Sequence, residues 1–305
     1  MKTAILGTGS VGAYFGGHLA HAGEDVVFLA RSTYAPIKRN GLTLEGPDGR
    51  IHVPQPKIFR EAAECGPVDL VLVCWKTYLN HQLAQSLPPL LHENTLVLTT
   101  QNGMGNAEAI AGLVPPERVG VALCFSSFMP AGPGVFRNLG ANDTRLAPMA
   151  ETDTAMAQVA GVSRTMEKAG IHATSYESME DMLWRKLIIN IPFNGVSLAE
   201  GGLTGGQLAT LPGAAGRMRG IMEEICRAAE LRGHPLPAGT VDKEIARILH
   251  LVDFIPSSAQ DYLNGRPVEY EAIWETPLQR ALEAGAEAPL WQELCRDIRR
   301  RIGRE

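Results

Sequence analysis

Nowhere among its 305 residues does this chain carry an apolar run approaching the roughly 20 needed to cross a bilayer. Met1-Lys2-Thr3 runs straight into an apolar strand pattern, without the layout of a signal peptide, so the expected setting is the cytoplasm, away from membranes. Cysteine is scarce: five residues, at 65, 74, 124, 226 and 295, with no C-x-x-C pair. An odd, scattered set fits a reducing compartment and argues against structural zinc. Cys74 and Cys124 fall inside apolar strand patterns and read as core side chains. The eight histidines show no metal-ligand spacing and H-E-x-x-H is absent, so no metal is expected. Positive charge is not in excess either, with 28 Lys and Arg against 33 Asp and Glu and a net charge of −5. That disfavours a nucleic-acid partner. The one basic run, Arg299-Arg300-Arg301, lies in the last predicted helix, where cations suit the negative end of the dipole. Internal repeats and low-complexity linkers are also missing.

What is present is an organisation in two parts, since the length exceeds the usual single-core size. The first part alternates short apolar runs with helix-period segments, the pattern of βαβ units. Strands are expected at residues 4–6, 26–29, 68–74, 95–100, 119–128, 134–140, 144–148 and 171–176, with a helix at 155–169 before the last of them. Val68-Asp69-Leu70-Val71-Leu72-Val73-Cys74 is nearly unbroken in apolar character, as suits a parallel strand covered on both faces. From Ser178 the texture changes to long helical patterns, at 178–199, 213–232, 240–251, 257–263, 267–284 and 289–302. The expected fold is an N-terminal α/β Rossmann domain with a mostly parallel, doubly wound sheet over residues 1–177. An all-α domain follows over 178–305.

Gly7-Thr8-Gly9-Ser10-Val11-Gly12 is G-x-G-x-x-G, a weak pattern alone. Its context makes it specific. It follows a strand and opens a helix whose Val11, Tyr14, Phe15 and Leu19 keep helical spacing, and Gly23 leads into a second strand. Gly7 then makes the turn, Gly9 lets backbone approach a pyrophosphate, and Gly12 permits close helix–strand packing. Dinucleotide binding follows, with the pyrophosphate over the helix N-terminus. The end of the second strand selects the cofactor. An acid there holds the ribose 2′-hydroxyl of NAD, whereas this chain has Ala30-Arg31-Ser32. A carboxylate would repel a 2′-phosphate and the arginine fork can grip it, so NADP(H) is favoured. Lys38 and Arg39 either add to that positive charge or lie on a surface helix.

Ligands in open α/β sheets sit beyond the carboxyl ends of the strands. Lys76 ends one predicted strand and Asn102 follows another, in the loop Gln101-Asn102-Gly103-Met104-Gly105-Asn106. Both are candidates to face the nicotinamide, against the plainer readings of a solvated lysine and a turn dipeptide.

A third pattern lies in Trp184-Arg185-Lys186-Leu187-Ile188-Ile189-Asn190-Ile191-Pro192-Phe193-Asn194. Lys186, Asn190 and Asn194 are four apart and share one helical stripe, while apolar residues cover most of the remaining circumference. A helix of that kind is buried, so its polar residues must meet partners or line a cleft. Burial favours the neutral form of a lysine, which suits an amine to proton transfer near neutral pH. Hydride transfer to a ketone needs such a partner for the developing alkoxide. The plainer alternative is a lysine snorkelling past amide-capped loops. Pro192 is expected to kink the helix.

Taken in order, these landmarks resemble the ketopantoate reductase (2-dehydropantoate 2-reductase) family over most of the chain. The matching points are Gly7 to Gly12, Arg31, Lys76, Asn102-Gly103-Met104-Gly105, Trp184 to Asn194, Ser257 to Asp261, and Glu269. The resemblance implies that Lys186 protonates the ketone oxygen and that Glu269 holds a substrate hydroxyl as its catalytic partner. It implies that Ser257 and Asn102 help bind the substrate carboxylate, with Asn190 and Asn194 lining the same pocket. Lys76 and Asn102 would stand beside the cofactor. From the residues alone, Ser257 reads as a helix N-cap and Glu269 as a surface charge. The implied activity is NADPH-dependent reduction of a small 2-oxo acid, 2-dehydropantoate to (R)-pantoate, in an interdomain cleft and serving pantothenate and coenzyme A synthesis. A homodimer would suit the apolar faces of the C-terminal helices.

Two segments depart from the family pattern. Val268-Glu269-Tyr270-Glu271-Ala272-Ile273-Trp274-Glu275 stands where T-E-I-D-Y-x-N-G is common, and Asn138 replaces the histidine of V-x-H-x-G. Trp274 in place of a small residue is expected to reshape the substrate pocket. Competing readings are a 3-hydroxyacid or 6-phosphogluconate-type dehydrogenase and a non-catalytic NADP sensor.

Overall fold

The computed structural model describes residues 1–47, 49–140 and 143–304. Two compact units make up the chain, one of Met1–Asn102 with Asn106–Met179, the other of Gly103–Gly105 with Glu180–Glu305.

The first unit holds all the strands: β1 (Lys2–Leu6), β2 (Asp25–Leu29), β3 (Leu42–Gly46), β4 (Gly49–Val53), β5 (Lys57–Phe59), β6 (Leu70–Val73), β7 (Leu96–Thr99), β8 (Val119–Cys124), β9 (Phe128–Gly132), β10 (Val135–Asn138), β11 (Thr144–Pro148) and β12 (Ala173–Ser175). Eight form one sheet in the order β12-β11-β8-β7-β6-β1-β2-β5, parallel except where β8 meets β11. Every residue of β6 and β7 is buried, because helices and turns cover both faces; each such Val or Leu contributes about 1.5–3 kcal/mol. The fold is the expected mixed, mainly parallel α/β sheet followed by a helical unit.

A second, four-stranded sheet, β4-β3-β10-β9, departs from the sequence reading. Residues 119–128 were expected as one strand; instead β8 ends at Cys124 and the chain enters the small sheet at Phe128. β3, β4 and β5 are unanticipated, for a physical reason. β5 has three residues, and β4 is nowhere fully buried, so neither carries much hydrophobic periodicity. The helix Ser10–His21 packs against both sheets, which explains why residues 12–17 and 19 are all buried.

In the second unit the run expected as one helix over 178–199 is divided. An α-helix, Met179–Ile189, passes into a π-turn, Asn190–Asn194, and then into Gly195–Ala199. Pro192 thus sits inside a widened turn, whose π geometry accommodates the N–H it lacks. Helices Gly205–Thr210, Ala214–Leu231, Thr240–Leu249, Ser257–Leu263, Thr276–Glu283 and Pro289–Arg301 complete the unit, with a second π-turn at Glu271–Glu275. Trp184, Trp274 and Trp291 are fully buried and form its largest core side chains. Glu224, also buried, accepts from the backbone N–H groups of Leu290 (2.9 Å) and Trp291 (2.8 Å) and so caps the last helix. The residues of the basic run Arg299-Arg300-Arg301 are exposed but engaged: Arg299 pairs with Glu275, and Arg301 donates to the Ala199 carbonyl at 2.7 Å. No helix among the described residues is long and apolar enough to cross a membrane, and none of their His, Cys, Asp and Glu side chains gather in threes to hold a metal.

Candidate active site

The sheet order fixes where a ligand can approach the first unit. From β1 the chain steps outward through β2 to β5, then returns to the other flank of β1 as β6. Such a reversal opens a crevice at the carboxyl ends of β1 and β6. Gly7 leaves β1 at that point with φ +97°, and a Cβ there would lie 2.7 Å from the backbone N and the Cβ of Trp75. Gly12 is equally constrained, since a Cβ would come within 2.2 Å of the Gly7 carbonyl oxygen. Gly9 differs: a Cβ would meet no atom within 4 Å, so its bare backbone faces open space. The first intrahelical bond of Ser10–His21 runs from Ala13 N–H to the Gly9 carbonyl at 2.8 Å. The amides of Ser10, Val11 and Gly12 therefore have no partner within the helix, no side chain caps this end, and no acid sits in the first turn. Amides, dipole and open approach together form a cradle that fits a diphosphate.

The cradle is pinned to β2. Thr8, buried, sends both its N–H (3.1 Å) and its hydroxyl (2.9 Å) to the Leu29 carbonyl, and the Thr33 hydroxyl donates to the Thr8 carbonyl at 2.8 Å. Arg31, just beyond β2, is exposed and donates to the Gln82 side chain, which extends from the turn Thr77–Gln82 after β6. Lys76 and Asn102 are half-buried at the carboxyl ends of β6 and β7. Between them lies a chain of side-chain amides. Asn80 accepts from Trp75 Nε1–H (2.9 Å) and Gln101 Nε2–H (2.8 Å), and Asn106 donates to the Asn102 carbonyl (3.0 Å). Burial pushes the nearby, half-buried Cys74 thiol up to about 12, so it stays protonated at the edge of the core.

In the second unit, Lys186 is 9% exposed, Glu269 6% and Asn194 5%, and Asn190 is half-buried. Leu187, Ile188, Ile191 and Phe193 are buried around them. The π-turn also aligns the polar residues. At about 100° per residue, four α-helical steps overshoot a full turn by about 40°, whereas a wider turn rotates less per residue and counters that drift towards Asn194. The Asn194 Oδ1 accepts from Ser258 N–H at 3.1 Å and from the Ser257 hydroxyl at 3.4 Å, which brings these two regions together.

Three sequence readings change here. The N-cap of helix Ser257–Leu263 is Pro256, and Ser257 is the first helical residue; Asn194 supplies the capping oxygen from a distant segment. Glu269 is a buried carboxylate, not a surface charge. Trp274 is fully buried and donates Nε1–H to the Ile191 carbonyl at 2.9 Å, so it fills the core behind the Lys186 run rather than shaping a pocket. Sequence reasoning passed over Asn80, Gln82, Gln101 and Asn106. The only signal for Asn106 was its place four residues beyond Asn102.

Family models cover both units. The model described as "Ketopantoate reductase PanE/ApbA" matches residues 3–151, and "Ketopantoate reductase PanE/ApbA C terminal" matches residues 178–301. The chain belongs to the ketopantoate reductase family. As a ketopantoate reductase family member it is an oxidoreductase with a Rossmann-like first unit. It is 33% identical over 294 residues to 2-dehydropantoate 2-reductase of a Nostoc species, covering 94% of this chain and 91% of that protein. The crystal structure of 2-dehydropantoate 2-reductase from Geobacter metallireducens superposes with a TM-score of 0.94 at 32% identity, covering 98% of this chain and 99% of that one. A ternary structure of D-mandelate dehydrogenase with NADH and anilino(oxo)acetate shares the fold, with a TM-score of 0.87 at 22% identity and 99% of each chain covered.

Proposed function

We propose that this family member is an NADPH-dependent reductase of a small 2-oxo acid, with 2-dehydropantoate, reduced to (R)-pantoate for pantothenate and coenzyme A synthesis, as the leading substrate. Residues 1–177 would hold the cofactor and residues 178–305 most of the substrate, with groups of both serving one ketone. The observation that carries the reading is Lys186, buried beside Leu187, Ile188 and Ile191 and followed at four-residue intervals by Asn190 and Asn194.

NADPH, when bound, supplies the hydride that reaches the ketone carbon. The chain contributes the rest. The amides of Ser10, Val11 and Gly12 hold the diphosphate over Gly9, and Arg31 takes the 2′-phosphate. Asn102 and Ser257 would bind the substrate carboxylate, Glu269 would accept from a substrate hydroxyl, and Lys76 would stand near the nicotinamide and the substrate. As the carbonyl π bond breaks, the Lys186 ammonium gives its proton to the oxygen, and solvent later reprotonates the amine. Positioning and stabilisation of the developing alkoxide are the main rate contributions.

Arginine in place of an acid after β2 is what favours NADPH. The fold does not choose by itself, since D-mandelate dehydrogenase carries NADH on it. The test is NADPH oxidation with 2-dehydropantoate beside a panel of other 2-oxo acids and 3-hydroxy acids. Turnover confined to 3-hydroxy acids, or to NADH, would overturn the reading.

A further inference from the structure

We propose that Asn80 is a positioning residue, the hub of a side-chain clamp that fixes the Lys76 and Asn102 loops to one another and to the glycine turn. The inference rests on the reading of those two residues as ligand-facing.

Asn80 uses both ends of its amide. Its Oδ1 accepts from Trp75 Nε1–H at 2.9 Å and from Gln101 Nε2–H at 2.8 Å, while its Nδ2–H donates to Asn106 Oδ1 at 3.1 Å. Asn106 passes the link on, donating Nδ2–H to the Asn102 carbonyl at 3.0 Å. Gln101 closes the ring with a second bond to the Trp75 carbonyl at 3.0 Å, and its Oε1 accepts from the Thr99 hydroxyl at 2.9 Å. Trp75 is the residue before Lys76 and Gln101 the residue before Asn102, so both loops are held directly upstream of their functional side chains. Trp75 is also the wall against which Gly7 turns.

The pattern has one satisfied arrangement. Flipping Asn80 would set its NH2 against two donors, and flipping Asn106 would face its oxygen to a carbonyl. Gln101 and Asn106 are each 5% exposed, so water cannot readily replace a lost partner. Loops after separate strands would otherwise move independently; this clamp makes them one body.

Asn80→Leu keeps the branched shape of the side chain and removes every bond of the hub. Asn80→Asp keeps the acceptor for Trp75 and Gln101. Amide hydrogen exchange in the ligand-free protein is the first readout. In Asn80→Leu, exchange in residues 75–82 and 101–106 should accelerate together by about tenfold or more relative to Gln85→Ala, an exposed control. Asn80→Asp should recover protection in residues 75–82 but not at 103–106, because its second oxygen opposes Asn106 Oδ1. The second readout is the Kd for NADPH, which should rise about fivefold or more in Asn80→Leu. Faster exchange confined to one loop in Asn80→Leu, or an Asn80→Asp that recovers no protection in residues 75–82, overturns the proposal. Should Asn80→Leu fail to fold, Asn106→Ala cuts the two bonds through Asn106 and leaves those of Asn80 to Trp75 and Gln101, and unchanged exchange at 101–106 would then overturn it. If the unaltered protein did not bind NADPH, the functional reading would fall, while the ligand-free exchange would still decide the clamp.

Discussion

The Trp274 indole meets the Ile191 carbonyl at 2.9 Å, one turn beyond Lys186 and inside the π-turn that leads to Asn194. A Cβ on Gly195 would lie 2.8 Å from the same indole nitrogen and 2.6 Å from Leu294, so the glycine makes room for the tryptophan. Trp274→Phe removes the donor and part of the core volume and should cost about 1–3 kcal/mol; Gly195→Ala should cost a similar amount by overpacking. Urea unfolding midpoints test both. Wild-type midpoints would show that this brace does not hold the helix run.

Lys186→Ala should lower kcat by about a hundredfold or more while leaving the Kd for NADPH within about twofold of wild type. Steady-state kinetics beside fluorescence titration separate the two quantities. A near-normal kcat would remove Lys186 from the chemistry.

Arg31→Ala should raise the KM for NADPH about tenfold or more and leave that for NADH nearly unchanged, because only one of them carries a 2′-phosphate. Equal losses for both cofactors would mean that Arg31 acts through its bond to Gln82, not on the phosphate.

Glu180 predicts a pH dependence of stability. Burial by itself would raise its carboxyl, but hydrogen bonds from Arg232 (2.9 and 3.3 Å) and the charges of Arg232 and His234 outweigh that and hold it below the ordinary glutamate range. With the folded value depressed, the unfolded chain binds the proton more readily. The contribution is therefore complete above the ordinary glutamate range and lost as pH falls through the depressed value. The urea midpoint of the wild type should decline in acid more steeply than that of Glu180→Gln. Parallel declines would show that other carboxylates govern the acid limb.

Glu224→Ala should destabilise the protein by about 1–3 kcal/mol, since it strips two buried N–H groups of their acceptor. Thermal denaturation should show the fall with no change in KM for NADPH. A KM effect would place Glu224 in the binding apparatus instead of the helical framework.

Much of this molecule could be read before it was seen, because the signals were local. The glycine turn, the acid-free end of β2 and the lysine stripe are each fixed by spacing within one strand–turn–helix or one helix, where backbone geometry alone sets direction. In the small sheet β10 fell within an expected strand, but β4 and β9 did not stand out, because they are mostly exposed and carry little hydrophobic periodicity. Glu269 and Ser257 looked like a surface charge and an N-cap because a sequence does not state burial, nor that an asparagine 63 positions away supplies the cap. Pro192 sits in a π-turn that the proline alone does not announce, because the widened turn is braced by Trp274 from a distant segment.

The sequence by itself determined the glycine turn between strand and helix, the lysine and asparagine spacing and the order of the two units, all consequences of residues near one another in the chain. Tertiary structure alone decided which polar groups are buried, what caps the helix at Ser257, and that Trp75, Asn80, Gln101 and Asn106 form one clamp. Those facts depend on side chains from separate segments satisfying one another's hydrogen bonds, and no local pattern encodes that.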